Sequence, residues 1–162
     1  MKFLLSNDDG YQAPGINELA HTLSTIGEVV IVAPEENKSA SSSSLTLKNP
    51  LTITEYKENI YFINGTPTDC VHIALSGFLK FKPDMVISGI NDGPNMGDDT
   101  IYSGTVAAAM EGYLLDIPSL AISMSQYDPK HYSTAGQVVL DLIPKIKNLQ
   151  QSILLNINVP DI

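Results

Sequence analysis

The sequence predicts an α/β fold: a three-layer, Rossmann-like sandwich whose mostly parallel sheet carries helices on both faces, with a small antiparallel excursion. Five short apolar runs are rich in β-branched residues and do not alternate strictly with polar ones, as expected of strands buried on both faces. Segments with helical spacing of apolar residues lie between these runs. With 162 residues, 43% of them hydrophobic, we expect residues 1–162 to form a single domain around one core.

The strands are predicted, in chain order, at the apolar runs KFLL, EVVIVA, DMVISGI, SLAIS and ILLNINV. Between the first two, a helix is expected to begin at Pro14 and to stop at Gly27. A second helix is expected after Thr66, because Thr66, Pro67 and Asp69 are typical of an N-cap, a first-turn proline and an acidic third position. Its inward face is predicted from four apolar residues: Val71, Leu75, Phe78 and Leu79.

The rest of the chain completes this pattern. Further helices are predicted from about Ser103 to Leu115 and from about Tyr132 to Lys147. The segment SLTLKNPLTITEYKENIYFING alternates in polarity, which predicts an antiparallel hairpin appended to the main sheet.

The charge balance excludes several function classes. The chain has 18 acidic and 9 basic residues, a formal net charge of -9 and no cluster of Lys and Arg, so we expect no binding to duplex nucleic acid.

Its one cysteine, Cys70, cannot form an intrachain disulfide and fits a reducing compartment. The N-terminal apolar run is shorter than the core of a signal peptide, and no run reaches membrane-spanning length. We therefore expect a cytoplasmic protein without membrane contact.

The residues that follow the predicted strands carry the chemistry, because ligands of open α/β sheets bind outside the carboxyl ends of the strands. Here these positions read NDDG, APEENKSAS and SGINDGPNMGDDTIYSGT. Asp8 and Asp9 would repel each other by about 1–4 kcal/mol if nothing offset their charges. A divalent cation is the simplest compensation, and the Ser39 hydroxyl and the Asn91 amide oxygen can add ligands. Oxygen ligands without His or Cys favour Mg²⁺ or Mn²⁺ over zinc and leave room for a substrate phosphate.

A second motif, YSGTVAAAMEG, lies where a helix is predicted to begin. Ser103, Gly104 and Thr105 occupy its start, where backbone N–H groups and the helix dipole favour an anion and the glycine permits close approach. Lys38 is the only basic residue in the three loops. We therefore expect a phosphate site built from backbone groups and a metal ion rather than from lysines.

Four segments together resemble the signature segments of the SurE (survival protein E) family of metal-dependent nucleotidases. They are LLSNDDGYQAPGI, VAPEENKSAS, GTPTDC and SGINDGPNMGDDTIYSGTVAAAMEG, and the match runs in order from Phe3 to the closing LNINVP. The resemblance implies a 5′-nucleotidase, a phosphoric monoester hydrolase that releases phosphate from nucleoside 5′- and 3′-monophosphates, with short polyphosphate as a further substrate of some members. It also implies one divalent cation, Mg²⁺ or Mn²⁺, per subunit.

The family's site residues can be placed on matching positions of this sequence. The metal ligands fall on Asp8, Asp9, Ser39 and Asn91, and the choice of Asn91 over Asn95 rests on the resemblance. The phosphate-binding residues fall on Asn95, Ser103, Gly104 and Thr105.

Chains of this family usually continue past the LNINVP strand into an extended β arm and a C-terminal element used in subunit exchange. This sequence ends at Ile162, so we expect a nucleotidase domain that lacks the extension. We also expect the full-length form to be a homodimer or a homotetramer, and the shorter form to hydrolyse nucleotides less well.

The expected mechanism is in-line phosphoryl transfer to water, with Asp8 or Asp9 as the catalytic group that orients or deprotonates the water. A covalent route with Asp8 as nucleophile is the less favoured alternative, since enzymes that use it usually separate their two aspartates by one residue. Two other function classes stay open. A nucleotide-binding or sensing module would hold metal and nucleotide without releasing phosphate, and a nucleotide-sugar transferase would need a second, acceptor-binding domain.

Other polar residues carry weaker signals. Asp98 and Asp99 could bind a second cation, although acids before a helix more often order the loop. Ser41 to Ser44 are expected to be loop residues without a catalytic role. The histidines are expected to be structural, because none follows a predicted strand: His21, His72 and His131.

Overall fold

The computed structural model describes residues 1–39, 42–149 and 151–162. Its strands are β1 Lys2–Ser6, β2 Glu28–Pro34, β3 Ile53–Lys57, β4 Ile60–Ile63, β5 Met85–Asn91, β6 Ser119–Met124 and β7 Leu154–Val159. Its α-helices are α1 Pro14–Leu23, α2 Pro67–Ile73, α3 Gly104–Leu114 and α4 Tyr132–Lys147. A π-helical turn, Ala74–Phe78, continues α2, and a short 3₁₀ helix, Gly97–Ile101, precedes α3.

The strands form one sheet in the order β3-β4-β2-β1-β5-β6-β7. Every neighbouring pair is parallel except β3 with β4, which are antiparallel. The hairpin of β3 and β4 joins the sheet because β4 pairs in parallel with β2, where Ile31 lies opposite Ile60. The predicted mostly parallel sheet with an antiparallel excursion is therefore confirmed, with the excursion at the sheet edge.

Both faces of the sheet are covered, which explains why the strands lack strict alternation. Leu5 of β1 belongs to a core cluster that includes Val139 of α4, and α4 packs beside α1 on this face. Leu4, the preceding residue, belongs to a second cluster with Val71 of α2 and Ala108 of α3. Full burial of such side chains stabilises the fold by roughly 1.5–3 kcal/mol each, so consecutive residues of one strand anchor opposite helical layers.

Helix α2 begins as predicted but ends earlier. The Thr66 hydroxyl accepts a hydrogen bond from the Asp69 backbone N–H at 3.1 Å, and the Asp69 carboxylate accepts one from the Thr66 N–H at 2.9 Å. The α-helix stops at Ile73, and the chain passes through Gly77 with φ of 151°. Glycine reaches this conformation without a steric penalty, so the chain leaves the helix axis before Leu79, although the apolar spacing continues.

The other helices lie where they were predicted. Helix α3 is capped by Ser103, whose Oγ accepts a hydrogen bond from the Val106 N–H at 3.1 Å, and α4 spans Tyr132–Lys147. In the described ranges, none of these helices combines the length and the apolar character that crossing a membrane would require.

Candidate active site

The loops that carry the predicted site residues meet at one edge of the sheet. β1 and β5 are neighbours in its centre, and β2 flanks β1 on the other side. All three run in parallel, so the loop after each strand emerges at the carboxyl end. Helix α3 begins at the same edge, because the Thr105 hydroxyl lies 2.5 Å from the carboxylate of Asp8.

A cavity of about 300 Å³ opens at this edge. Six of the eight predicted site residues line it: Asp8, Asp9, Ser39, Asn91, Asn95 and Ser103. Gly104 and Thr105 are buried in the first turn of α3 and do not line it. The other residues in its wall are Asp92, Pro94, Asp99, Tyr102 and Tyr127, of which the sequence analysis named only Asp99, as a candidate ligand of a second cation.

A larger cavity, of about 500 Å³, lies elsewhere and lacks the paired carboxylates that a metal site would need. It is lined by the connection between α2 and β5, with Lys80 and Lys82, and by Leu115 and Ile117. These residues precede β5 and β6, so this cavity is at the amino ends of the strands. Since no acidic side chain among the described residues lines it, we place the candidate site in the smaller cavity.

The turn after β1 is fixed by a buried asparagine. The side chain of Asn7 donates to the Gly10 carbonyl at 2.8 Å and accepts from the Gly10 N–H at 3.2 Å. Gly10 has φ of 100°, a conformation that side-chain-bearing residues rarely adopt. This closed turn holds the intervening Asp8 and Asp9 at the strand end, with Asp8 buried and Asp9 partly exposed.

Asp8 is a carboxylate kept largely out of water. Burial raises its pKa above the ordinary value. The Thr105 hydroxyl, which donates to its Oδ1 at 2.5 Å, opposes this shift, as do backbone hydrogen bonds from Gly104 and Thr105. The start of α3 therefore stabilises the negative charge of Asp8 but does not fully offset its loss of hydration.

Asp9 is less stable still in its charged form. Burial, followed by the neighbouring negative charges of Asp8 and Asp92, raises its pKa to about 6. The hydrogen bonds it receives are long: 3.4 Å from the Asn37 side chain and 3.4 Å from the Asp92 N–H. Bonds of this length are weak, so the repulsion between the paired aspartates is not offset by the protein alone.

No cationic side chain lines this cavity in the part of the chain that the structure describes. Lys38 lies in the neighbouring loop, but its ammonium pairs with Glu36 at 2.8 Å. The described residues also contain no group of three or more His, Cys, Asp and Glu side chains arranged for a metal. Any cation here would have to be held by two carboxylates together with neutral oxygens, a donor set that suits a hard ion such as Mg²⁺ or Mn²⁺.

The loop after β2 approaches the aspartates through Asn37. The Lys38 N–H donates to the Asp8 carbonyl at 2.7 Å, which ties this loop to the turn after β1. The Ser39 hydroxyl donates to the Asn37 Oδ1 at 2.7 Å, and the Asn37 amide in turn donates to Asp9. Ser39 is thus linked to Asp9 through one side chain. Of the predicted loop serines, Ser41 lies outside the described residues.

Asn91 and Asn95 differ in which atoms of their side-chain amides are already hydrogen-bonded. The Asn91 amide group donates to the Gly93 carbonyl at 2.8 Å, while its Oδ1 faces the Thr105 hydroxyl at 3.4 Å. Its oxygen therefore stays on the side of Asp8, the direction that a metal ligand would need. Asn95 instead donates from its side chain to the Ser123 hydroxyl at 2.8 Å, which commits one of its two amide hydrogens.

Two further asparagines hold Asn95 from the last strand. The Asn95 N–H donates to the Asn158 Oδ1 at 2.8 Å, and its carbonyl accepts from Asn156 at 2.8 Å and from Asn158 at 3.0 Å. Both asparagines belong to β7. Hydrogen bonds from polar side chains of β7 therefore hold the loop after β5 in place.

The remaining polar residues differ in whether they line the cavity. Asp99 lines the cavity, whereas Asp98, beside it in the 3₁₀ helix, does not. Two histidines contact carboxylates outside the cavity: the distance from Nδ1 is 2.7 Å between His72 and Glu111 and 3.1 Å between His131 and Asp161. No histidine of the described chain lines the site, in keeping with the oxygen-only donor set.

Sequence reasoning missed several contributors to the site. Asn7, Asn37 and Asp92 lie inside the loops that were singled out, but their partners are distant in sequence or close only after the turn forms. Tyr127 follows β6, whose carboxyl-end loop was not considered. Extending the rule for strand ends to that loop would have found it.

Comparison with known proteins agrees with this arrangement. The family model described as "Survival protein SurE" matches residues 3–162. A protein named 5′-nucleotidase SurE from Chromobacterium violaceum is 58% identical over 163 residues, which is 99% of this chain and 66% of that protein. One of the same name from Laribacter hongkongensis is 57% identical, again over 99% and 66% of the two chains.

Solved structures give the same result. The crystal structure of SurE protein from Aquifex aeolicus superposes with a TM-score of 0.93 at 43% identity, covering 100% of this chain and 67% of that one. The present chain thus spans about two thirds of the length of its relatives. Because the family model and these relatives match over nearly all of its residues, the chain belongs to the SurE survival protein family.

Proposed function

We propose that the chain is a metal-dependent phosphatase that hydrolyses nucleoside 5′-monophosphates to nucleoside and phosphate, and that it also accepts 3′-monophosphates. The observation that carries the proposal is the pair Asp8 and Asp9, which share one cavity with the capping residue of α3 and have no cationic side chain beside them in its described wall. The relatives named 5′-nucleotidase SurE support the choice of substrate. Short polyphosphate is a third substrate class to be tested.

The metal site proposed here consists of Asp8, Asp9, Ser39 and Asn91, holding one Mg²⁺ or Mn²⁺. All four line the cavity and offer oxygen atoms. The raised pKa values of both aspartates mean that their charged forms are destabilised, and a bound cation would stabilise them. When bound, such an ion would supply charge neutralisation for a phosphoryl group and acidify a water molecule.

The chain's own residues would orient the substrate around this ion. Asn95, Ser103, Gly104 and Thr105 are proposed to hold the phosphate, since the first N–H groups of a helix lack intrahelical partners and favour an anion. In the described geometry the Thr105 hydroxyl and the backbone N–H groups of Gly104 and Thr105 already serve the Asp8 carboxylate. Gly104 and Thr105 would therefore bind the phosphate only by sharing these N–H groups with Asp8, while Asn95 and Ser103, which line the cavity, would contact it directly.

Asp9 is the better placed of the two aspartates to orient or deprotonate the attacking water. It is partly exposed, whereas Asp8 is buried and engaged by Thr105. Its more open carboxylate would leave room for a hydrogen bond to a water molecule beside the ion. Water attack opposite the leaving ribose oxygen would then release phosphate in one in-line step.

The test is a phosphate-release assay on nucleoside 5′- and 3′-monophosphates. We expect activity with Mn²⁺ or Mg²⁺, none in EDTA, and recovery when the ion is returned. Asp8→Asn should abolish turnover and should also weaken Mn²⁺ binding measured by calorimetry, while circular dichroism stays unchanged. Full activity in EDTA would contradict the proposal, and Mn²⁺-dependent nucleotide binding without phosphate release would favour a sensing module. Assembly into a homodimer or homotetramer stays a prediction.

A further inference from the structure

Two tyrosines border the cavity that contains the paired aspartates. Tyr102 and Tyr127 both line it, yet they are 63% and 72% exposed. In the described chain, neither ring packs against another aromatic ring. A single exposed aromatic side chain is ordinary. Two of them on one small polar cavity place aromatic side chains beside whatever molecule enters it.

Tyr127 is positioned by the loop after β5. A Cβ atom on Gly93 would lie 2.4 Å from Cε1 of the Tyr127 ring, so the ring rests directly on the glycine backbone. The residue after Tyr127 is tied to the same loop, because the Asp128 N–H donates to the Asp92 Oδ1 at 2.9 Å. Tyr127 is therefore held against the loop after β5 at Gly93, although the residue is 72% exposed.

Tyr102 is positioned by the start of α3. Its N–H donates to the Asp99 carbonyl at 3.1 Å, at the end of the 3₁₀ helix. The next residue, Ser103, caps α3. The Tyr102 ring thus lies one residue from the proposed phosphate-binding turn.

We infer that Tyr102 and Tyr127 bind the base of a nucleoside monophosphate by contact with their ring faces. The inference rests on the proposed function and extends it to the part of the substrate that does not react. With the phosphate held at the start of α3, the rest of the ester must leave the cavity past its wall, and these two rings are the aromatic part of that wall. A volume of about 300 Å³ is at the lower end of small-molecule pockets, so part of the ligand lies outside, against the exposed rings.

Ring contact also predicts which bases are accepted. Stacking on an aromatic side chain tolerates any base, because every base has a π-face. We therefore expect purine and pyrimidine nucleotides to bind with similar affinity, and sugar phosphates without a base to bind less tightly.

A second aromatic group provides a matched control. Tyr11 stacks on Phe62 at 4.7 Å between ring centroids and meets Tyr56 edge-on at 5.1 Å. Tyr11 and Tyr56 line a different cavity, which contains neither aspartate. Tyr56 is 51% exposed, so Tyr56→Ala removes a comparable exposed ring without touching the proposed site.

The first experiment compares adenosine 5′-monophosphate with ribose 5-phosphate, which lacks the base, in the Mn²⁺-loaded protein. Tyr102→Ala and Tyr127→Ala should each raise the KM for the nucleotide by about 5- to 150-fold, the range expected for loss of one stacking contact. The KM for ribose 5-phosphate should not change, and Tyr56→Ala should leave both constants as in the wild type.

The second experiment measures base contact without turnover. The sequence contains no tryptophan, so Tyr127→Trp introduces a single tryptophan, whose fluorescence can be excited separately from that of the tyrosines, and keeps an aromatic face. Adenosine, which has a base but no phosphate, should quench this tryptophan, whereas ribose should not. The KM of this variant for the nucleotide should rise less than that of Tyr127→Ala, because an aromatic face is kept.

The outcomes distinguish a failure of base contact at the two tyrosines from a failure of the proposed function. If the tyrosine variants lose the same factor on both substrates, if Tyr56→Ala gives the base-dependent loss, or if adenosine does not quench Tyr127→Trp, base contact at these rings is wrong and the proposed function stands. If the wild-type protein releases phosphate from neither substrate, the proposed function itself fails.

Discussion

Replacing Asp9 by asparagine should make the metal-free protein more stable while removing its function. The ordinary pKa of this carboxyl is 3.8, and burial next to Asp8 raises it to about 6. Above pH 6 the folded state therefore carries a charge that it disfavours. At 1.36 kcal/mol for each pKa unit, the full cost is at most ~3 kcal/mol. Because Asp9 is partly exposed, solvent screens part of it, and we expect Asp9→Asn to gain ~1–2 kcal/mol at pH 8.

The direction of the pKa shift of Asp9 determines how the stability of the wild type changes with pH. Between the unfolded and folded pKa values the folded wild type binds more protons than the unfolded chain, so its stability falls as pH rises from about 4 to 6. Asparagine does not titrate, so the advantage of the variant should be complete at pH 8, about half as large at pH 5, and absent below pH 4.

The assay is urea unfolding in EDTA at pH 5 and pH 8, with Asp98→Asn as the control, since Asp98 is an exposed acid outside the cavity. Adding Mn²⁺ should then stabilise the wild type more than Asp9→Asn, because only the wild type offers both carboxylates to the ion. The reasoning is refuted if Asp9→Asn is no more stable than the wild type at pH 8 in EDTA, or if its advantage is the same at both pH values.

Three further predictions concern α2 and α3. Thr105→Val removes the donor to Asp8 and should lower phosphate release by about 10- to 100-fold, whereas Thr105→Ser should keep most of it; equal loss in both would show that the hydroxyl is not what matters. Gly104→Val should reduce turnover far more than Ser43→Ala in the same assay, and similar effects would mean that the phosphate site is misplaced. Thr66→Ala breaks the capping box of α2 and should cost about 1 kcal/mol, a fall of about 2–4 °C in Tm that calorimetry can detect, with phosphate release unchanged.

The fold could be predicted because its signals are local. Leu4 and Leu5 are both apolar and both buried, on opposite faces of β1, and such unbroken apolar runs are typical of parallel strands. The end of α2 could not be predicted in the same way. Leu75 and Phe78 keep helical spacing, but the chain turns at Gly77, where the backbone conformation rather than the apolar pattern decides the path.

The candidate-site residues that directly follow a strand could be predicted from the sequence. Asp8 and Asp9 come immediately after β1, and their residue types indicate a cation without knowledge of the partners. The contact of Thr105 with Asp8 was not predictable, because 97 residues separate the two side chains. A threonine at a helix start predicts anion binding, and only the packing of α3 against the end of β1 turns its hydroxyl toward the carboxylate.

The support of Asn95 by β7 has a consequence for the order in which the molecule is made. The asparagines that hold its carbonyl follow it by 61 and 63 residues, so a ribosome releases them well after Asp8, Asp9 and the start of α3. A nascent chain could therefore already contain both aspartates while the loop after β5 still lacks its partners. The loop that carries Asn95 would gain these partners only when β7 docks on β6, so one wall of the cavity depends on a strand that is made late.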